Sequence, residues 1–316
     1  EICACLVGSE MCIRDRHRTV SKMNKLNSAA SMLPIALNSE ILILPETERE
    51  KIEEIRLRAG QAMTVLINGE ERLIAEGHTV TVEDLESVLE CATGASVHSV
   101  ETSMANGYIN VDGGIRLGIC GNAIMRSGTV CGIRNLSSLS LRIPKEIRGV
   151  AANELRQMNQ NGLTDILIAS PPGSGKTTCL REFIRVISDS GKRISVADER
   201  GEIAAVSGGV PQFDVGRHTD IISNAPKAKA AMMLIRAMNP DVLAMDEISS
   251  SEDMQSVFEA SGCGVRLLAT AHARDLDDLY SRKLYRRLMQ MRIFKYCLFI
   301  ENSGGNRSYR IEELKL

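Results

Sequence analysis

The chain has 316 residues, 44% of them hydrophobic and 25% charged, with a formal net charge of −2. That balance supports packed domains and excludes global disorder, and the near-neutral charge excludes a surface uniformly suited to nucleic acid. Tryptophan is absent and aromatics total 3%, so base-stacking platforms are scarce. No apolar run reaches the length of a membrane span; "LPIALNSEILIL" is short and broken by Asn38, Ser39 and Glu40. The nine cysteines are scattered without a C-x-x-C pair and read as reduced thiols, with no metal-ligand spacing.

"EICACLVGSEMCIRDR" carries three of those cysteines and fits no element around it. It resembles the conceptual translation of sequencing-adapter DNA, and its acidic first residue and short apolar part do not make a signal peptide. Residues 1–22 are therefore expected to be a non-native or disordered leader, with a start at Met23. Two domains are expected after it: a small α+β domain over 23–145 and an α/β domain over 146–316.

Residues 40–145 read as short strands between glycine turns. "TVLINGEERLIA" places apolar strands on either side of Asn68-Gly69, a strong hairpin signal. "TVEDLESVLECAT" predicts a helix capped by Thr81, with Val82, Leu85, Val88 and Leu89 as its apolar stripe. "GYINVDGGIRLGICGNAI" predicts two strands around Asp112-Gly113-Gly114. From residue 146 the texture changes. "KEIRGVAANELRQMNQNG" predicts a helix ending at Gly162. Short apolar strands then alternate with helices: "DILIAS", helix 176–189, "RISVAD", helix 227–238, "DVLAM", helix 252–261 and "RLLATA". That alternation predicts a parallel sheet covered on both faces, with an antiparallel hairpin across Gly304-Gly305 at the end.

"SPPGSGKTT", Ser170 to Thr178, lies after an apolar strand and before a helix, where a phosphate-binding loop belongs. The binding set is Ser170, Pro171, Pro172, Gly173, Ser174, Gly175, Lys176, Thr177 and Thr178. Gly173 and Gly175 let backbone N–H groups turn toward phosphate oxygens, Lys176 reaches the β- and γ-phosphates of ATP, and the Thr177 hydroxyl binds Mg²⁺. Ser170 stands where the pattern has its first glycine, and a small polar residue is expected to be tolerated at that strand exit. "NPDVLAMDEI" ends an apolar strand in Asp246 and Glu247, the Walker B arrangement: Asp246 as metal-side carboxylate, Glu247 orienting or activating the attacking water. "VADERGEI" sets Asp198, Glu199 and Glu202 at another strand exit, and "LLATAHARD" sets Thr270 and His272 at a third, where a histidine can sense the γ-phosphate. Lys176, Glu247, Glu199, Glu202 and His272 are the candidate catalytic residues.

Taken together, SPPGSGKTT, VADERGE, VLAMDEI and ATAHA occur in the order of the motifs of the secretion ATPases of type II and type IV secretion and pilus machines, and the chain resembles that family. The acidic box reads D-E-R-G-E where the pilus motors read closer to E-D-P-x-E, so Glu199 and Glu202 both stay candidates. "EIRLRAGQ", "GYINVDGGIRLGICG", "VGRHTDII" and "APKAKAAMMLIRAMNPDVLAMDEI" are similar to the stage III sporulation AA family of endospore-forming bacteria, from about residue 41 to the end. Arg217-His218 stands where that family tends to show Pro-Arg. The resemblance implies a RecA-like P-loop ATPase core, ATP and Mg²⁺, and a homo-oligomer in the form of a hexameric ring with sites between subunits. It also implies membrane-embedded sporulation channel proteins as partners, no nucleic acid, and a cytoplasmic place on the mother-cell side of a membrane. A ring site needs a cation to stabilise γ-phosphate charge, for which Arg134, Arg142, Arg217 and Arg236 are candidates. Two alternatives stand beside the motor: a nucleotide-binding assembly scaffold with little turnover, and a RecA-like nucleic-acid motor.

"YSRKLYRRLMQMRIFKY" carries Arg282, Lys283, Arg286, Arg287, Arg292 and Lys295, with no acid between Ser281 and Ile300. It reads either as a solvated helix face or as a patch facing anionic lipid.

Overall fold

A computed structural model of the chain describes residues 25–74, 77–94, 107–126, 128–144, 146–303 and 306–314. The leader 1–22 and the Gly304-Gly305 turn lie outside the described residues. The chain divides into two compact units: unit 1 takes in residues up to Glu146 together with Ser207–Gln212, and unit 2 takes in Ile147–Val206 and Phe213–Leu316. Among the described residues no helix is long and apolar enough to cross a membrane.

Unit 1 begins with helical turns over residues 25–30, then α1 (Ile35–Ile43) and the single-turn α2 (Glu46–Arg49). Residues 40–43 and 46–49 are therefore helical rather than extended. The sheet contains β1 (Ile52–Arg58), β2 (Thr64–Ile67), β3 (Glu70–Leu73), β4 (Tyr108–Val111), β5 (Ile115–Arg126) and β6 (Thr129–Arg142) in the order β3-β2-β1-β6-β5-β4. Every neighbouring pair is antiparallel. The β2–β3 turn is Asn68-Gly69 with φ of 52° and 82°, the double left-handed turn that the Asn-Gly pair favours.

α3 (Val82–Thr93) starts at a capping box in which the Thr81 hydroxyl accepts from the Asp84 N–H and the Asp84 carboxylate accepts from the Thr81 N–H. Leu85 and Val88 are buried, whereas Val82 is 40% exposed and sits off the stripe. α1, α3 and the alternate sheet residues Ile55, Leu57, Leu117, Leu139 and Leu141 form one core. On the opposite face Glu54 is nearly buried, accepting from Ser140 Oγ, Arg56 Nε and Arg142 Nε. Burial alone would raise its pKa; those three donors more than offset it and hold the carboxyl below its usual range. Beyond Cys120 the β5–β6 hairpin turns exposed, and its register slips at Gly121. A Cβ there would meet the Arg134 and Asn135 carbonyl oxygens at 2.7 and 2.8 Å, so only glycine lets the strands close.

Unit 2 is built on β7 (Ile166–Ala169), β8 (Ile194–Asp198), β9 (Thr219–Ser223), β10 (Val242–Glu247), β11 (Arg266–Ala271), β12 (Tyr296–Ser303) and β13 (Asn306–Glu313). Their order is β13-β12-β7-β11-β10-β8-β9, parallel throughout except for the antiparallel edge strand β13. Period-2 alternation splits the strands between two cores. Ile166, Ile168, Val242 and Ala244 join α4 (Ala152–Met158) and α5 (Lys176–Asp189) on one face. Leu167, Ala169, Leu243 and Met245 join α6 (Lys227–Met238), α7 (Ser251–Gly262), α8 (Leu276–Ser281) and α9 (Lys283–Gln290) on the other.

The expected α/β architecture is present, with two differences in detail. The helix expected over 145–162 spans only Ala152–Met158, because Gly149 and Ala151 adopt left-handed φ of 75° and 51° just before it. β9 escaped prediction: all five of its residues are half-buried on a sheet edge, so its sequence lacks the apolar run of the central strands.

Candidate active site

The loop joins β7 to α5 at the carboxyl edge of the sheet. Gly173 and Gly175 take φ of 75° and 100°, which L side chains rarely adopt. α5 opens with neither a side-chain cap nor an acidic residue in its first turn, so its positive dipole end is left uncompensated. Ser170 is fully buried; its N–H donates to the Ala271 carbonyl (3.3 Å) and its hydroxyl to the Pro171 carbonyl (3.0 Å). Pro172 and Gly173 are exposed at the loop tip, Ser174 is buried, and Pro171, Thr177 and Thr178 are half-buried.

Lys176 is 8% exposed and donates to the carbonyls of Ser170 (2.9 Å) and Pro171 (3.2 Å) and to His272 Nδ1 (2.8 Å). An ammonium only donates, so Nδ1 accepts and the imidazole carries its proton on Nε2. That nitrogen lies 2.7 Å from Glu247 Oε2. The structure thus joins Lys176, His272 and Glu247, from three strand exits, into one chain of contacts. Burial lowers the Lys176 pKa to about 8, with the Glu247 charge opposing. The backbone N–H of His272 donates to the Tyr285 hydroxyl of α9 (3.0 Å).

Asp246 and Glu199 meet at Lys227, a residue the sequence reading passed over. Its ammonium is 3.0 Å from Asp246 Oδ1, 2.5 Å from the Glu247 carbonyl, 3.3 Å from Glu199 Oε2 and 3.7 Å from Asp253 Oδ2, with the lysine side chain 4% exposed. Burial pushes Asp246 up to about 6 even though Lys227 pulls it down. Lys227 itself is raised: burial works against its charge, and the surrounding carboxylates prevail. A signal was present in the sequence. Lys227 is the first residue of α6, after Pro226, with no acid in the first turn, a place where cationic charge opposes the helix dipole.

The two glutamates of the acidic box part company. Glu199 faces Lys227, whereas the Glu202 backbone braces the loop: its N–H donates to Asp198 and its carbonyl accepts from Arg181. Asp198, fully buried, accepts from the N–H groups of Glu202, Ile203 and Ala204 and folds the loop after β8. Of the arginines, Arg142 is bound to Glu54, and Arg134, Arg217 and Arg236 are exposed. The basic stretch forms the outer side of α9 and its flanks. Arg282 pairs with Asp278, the Arg286 guanidinium donates to the carbonyls of Tyr280 and Ser281, and Tyr285 and Leu288 face inward.

This sheet order, with a glycine-lysine loop after β7, is a RecA-like P-loop fold shared with the secretion-type ATPases. Solved structures of that class superpose on the chain. The pilus retraction motor PilT with bound ADP gives a TM-score of 0.60 at 19% identity, covering 86% of this chain and 82% of PilT. The ATPase DotB of Legionella pneumophila gives 0.57 at 14% identity, covering 89% and 80%. The chain belongs to the family described as Sporulation stage III, protein AA, which it matches over residues 23–311. It is 32% identical over 285 residues to stage III sporulation protein AA of Bacillus subtilis (strain 168), covering 89% of this chain and 92% of that protein.

Proposed function

We propose that this chain is an Mg²⁺-dependent ATPase whose turnover powers assembly of, or transport through, a membrane channel between mother cell and forespore. The observation that carries the reading is the contact chain from Lys176 through His272 to Glu247 beside an uncapped helix N-terminus. In this reading the N–H groups of residues 173–178 and the Lys176 ammonium bind the β- and γ-phosphates. Glu247 accepts a proton from the attacking water, and His272 couples that carboxylate to the lysine that feels the γ-phosphate. Glu199 acts through Lys227 on Asp246; Glu202 holds the acidic-box loop through its backbone.

The donor set suits magnesium. Among the described residues no cluster of three or more His, Cys, Asp or Glu forms a metal cage. Mg²⁺ characteristically takes one or two protein oxygens and completes its shell with water and substrate phosphates. The Thr177 hydroxyl and the Asp246 carboxylate would be those oxygens, and the ion, when bound, would supply charge neutralisation on the phosphates.

The family relationship supports a homo-oligomeric ring, a cytoplasmic position against the mother-cell side of a membrane, and channel proteins as partners. Phosphate release by wild type, Lys176→Ala and Glu247→Gln tests the proposal. Turnover in the wild type alone is expected, and equal background in all three would leave the chain a nucleotide-binding scaffold at most.

A further inference from the structure

Arg307 stands at the start of β13, level with the loop. β12 runs parallel to β7, with Phe299 opposite Ala169, and continues past the sheet edge to Asn302, which pairs with Arg307. Period-2 alternation puts Arg307, Tyr309 and Ile311 on one face of β13. Tyr309 and Ile311 pack on the core that holds Cys179, Leu180 and Phe183 of α5, so the same face carries Arg307 toward the start of that helix. Its guanidinium covers Gly175: a Cβ built there would lie 3.1 Å from Cζ, 3.2 Å from Nε and 3.3 Å from Nη2.

The other cations of unit 2 near the sheet's carboxyl edge are engaged. Lys176 is held by two carbonyls and His272, and Lys227 by its carboxylates. Arg310, on the opposite face of β13, pairs with Glu301 and Glu312. Arg307 is exposed, and among the described residues no carboxylate pairs with it. Sheet order gives its position a direction. Asp246, Glu247 and His272 follow β10 and β11 on one side of β7, and Arg307 lies on β13 on the other side. A nucleotide with its terminal phosphate at Glu247 therefore extends its α-phosphate and nucleoside toward Arg307.

The geometry points to Arg307 as a nucleotide-binding residue that grips the α-phosphate of nucleoside di- and triphosphates. This inference rests on the loop being the nucleotide site. A guanidinium fork matches two phosphate oxygens at once. The α-phosphate is common to ADP and ATP and does not change charge during hydrolysis, so Arg307 contributes to binding and not to the chemical step.

The test measures equilibrium binding of ADP and of a non-hydrolysable ATP analogue, with steady-state turnover, for wild type, Arg307→Ala, Arg307→Lys and Lys176→Ala. Arg307→Ala is expected to weaken both ligands by about tenfold or more, to raise KM by a similar factor and to leave kcat within about twofold. Arg307→Lys, which keeps the charge and loses the fork, should fall between. Unchanged affinity in Arg307→Ala beside a wild type that binds overturns the assignment, and so does a fall in kcat at constant KM, which would place the guanidinium on the transferred phosphate. A wild type that binds neither ligand overturns the reading of the loop itself, and Arg307 with it.

Discussion

Replacing Lys227 by methionine tests the electrostatic reasoning at the site most directly. The ammonium is 3.0 Å from Asp246 and nearly buried, so at an effective dielectric constant of about 20 the lost attraction is about 5 kcal/mol. Methionine avoids the cost of burying a charge, which offsets part of that, and the expected net destabilisation is about 2–4 kcal/mol. The effect has a pH signature. Asp246 is raised above its ordinary 3.8 to about 6, so between those values the folded state holds the extra proton and stability falls as pH rises. Below that window Asp246 is neutral and does not need Lys227; above it, the carboxylate is charged and depends on it. The loss in Lys227→Met should therefore be larger at pH 8 than at pH 5, and Asp246→Asn in the same background should recover part of it. The chain lacks tryptophan, so urea unfolding is followed by far-UV circular dichroism. A loss below about 0.5 kcal/mol, or one independent of pH, would refute the argument.

Three further outcomes are expected. Ser170→Gly removes only a hydroxyl bond to the Pro171 carbonyl, so turnover should stay within about twofold of wild type, a prediction that phosphate-release kinetics check. Glu54→Gln weakens the acceptor for Ser140, Arg56 and Arg142 and should destabilise unit 1 by about 2–3 kcal/mol at pH 7. Because the Glu54 pKa is lowered, its contribution is complete above its ordinary 4.5 and is lost as pH falls through the folded value; thermal unfolding of the variant should converge with wild type in acid. Light scattering on eluting protein should show a larger species with a non-hydrolysable ATP analogue than without, and a monomer under both conditions would count against a self-assembling ring.

What could be read from the sequence follows the range over which each signal acts. The loop is local chemistry: Gly173, Gly175 and Lys176 are fixed by spacing, and the helix after them runs over Lys176–Asp189 as expected. The central strands were legible because burial on both faces forces runs such as Ile166–Ala169, in which every residue is buried. Lys227 offered only its place at the start of α6, because its meaning comes from carboxylates that the fold delivers from β8, β10 and α7. Arg307 was hidden for the same reason, since nothing in "NRSYRIEEL" shows that β13 returns to the loop. Where the sequence misled, a backbone detail decided: Ala151 at left-handed φ delays the start of a helix that composition alone would begin earlier.

The short segment Ser207–Gln212 bears on the order in which the molecule can be completed. Unit 1 obtains a hydrogen bond for the Gly113 N–H from Gln212, 99 residues later, and one for Asp112 from the Ser207 hydroxyl, 95 residues later. On the ribosome these two groups wait until the loop, α5 and β8 have been made. Maturation of the first unit is therefore tied to synthesis of the second, and a fragment ending at residue 146 would lack both bonds however well its sheet formed.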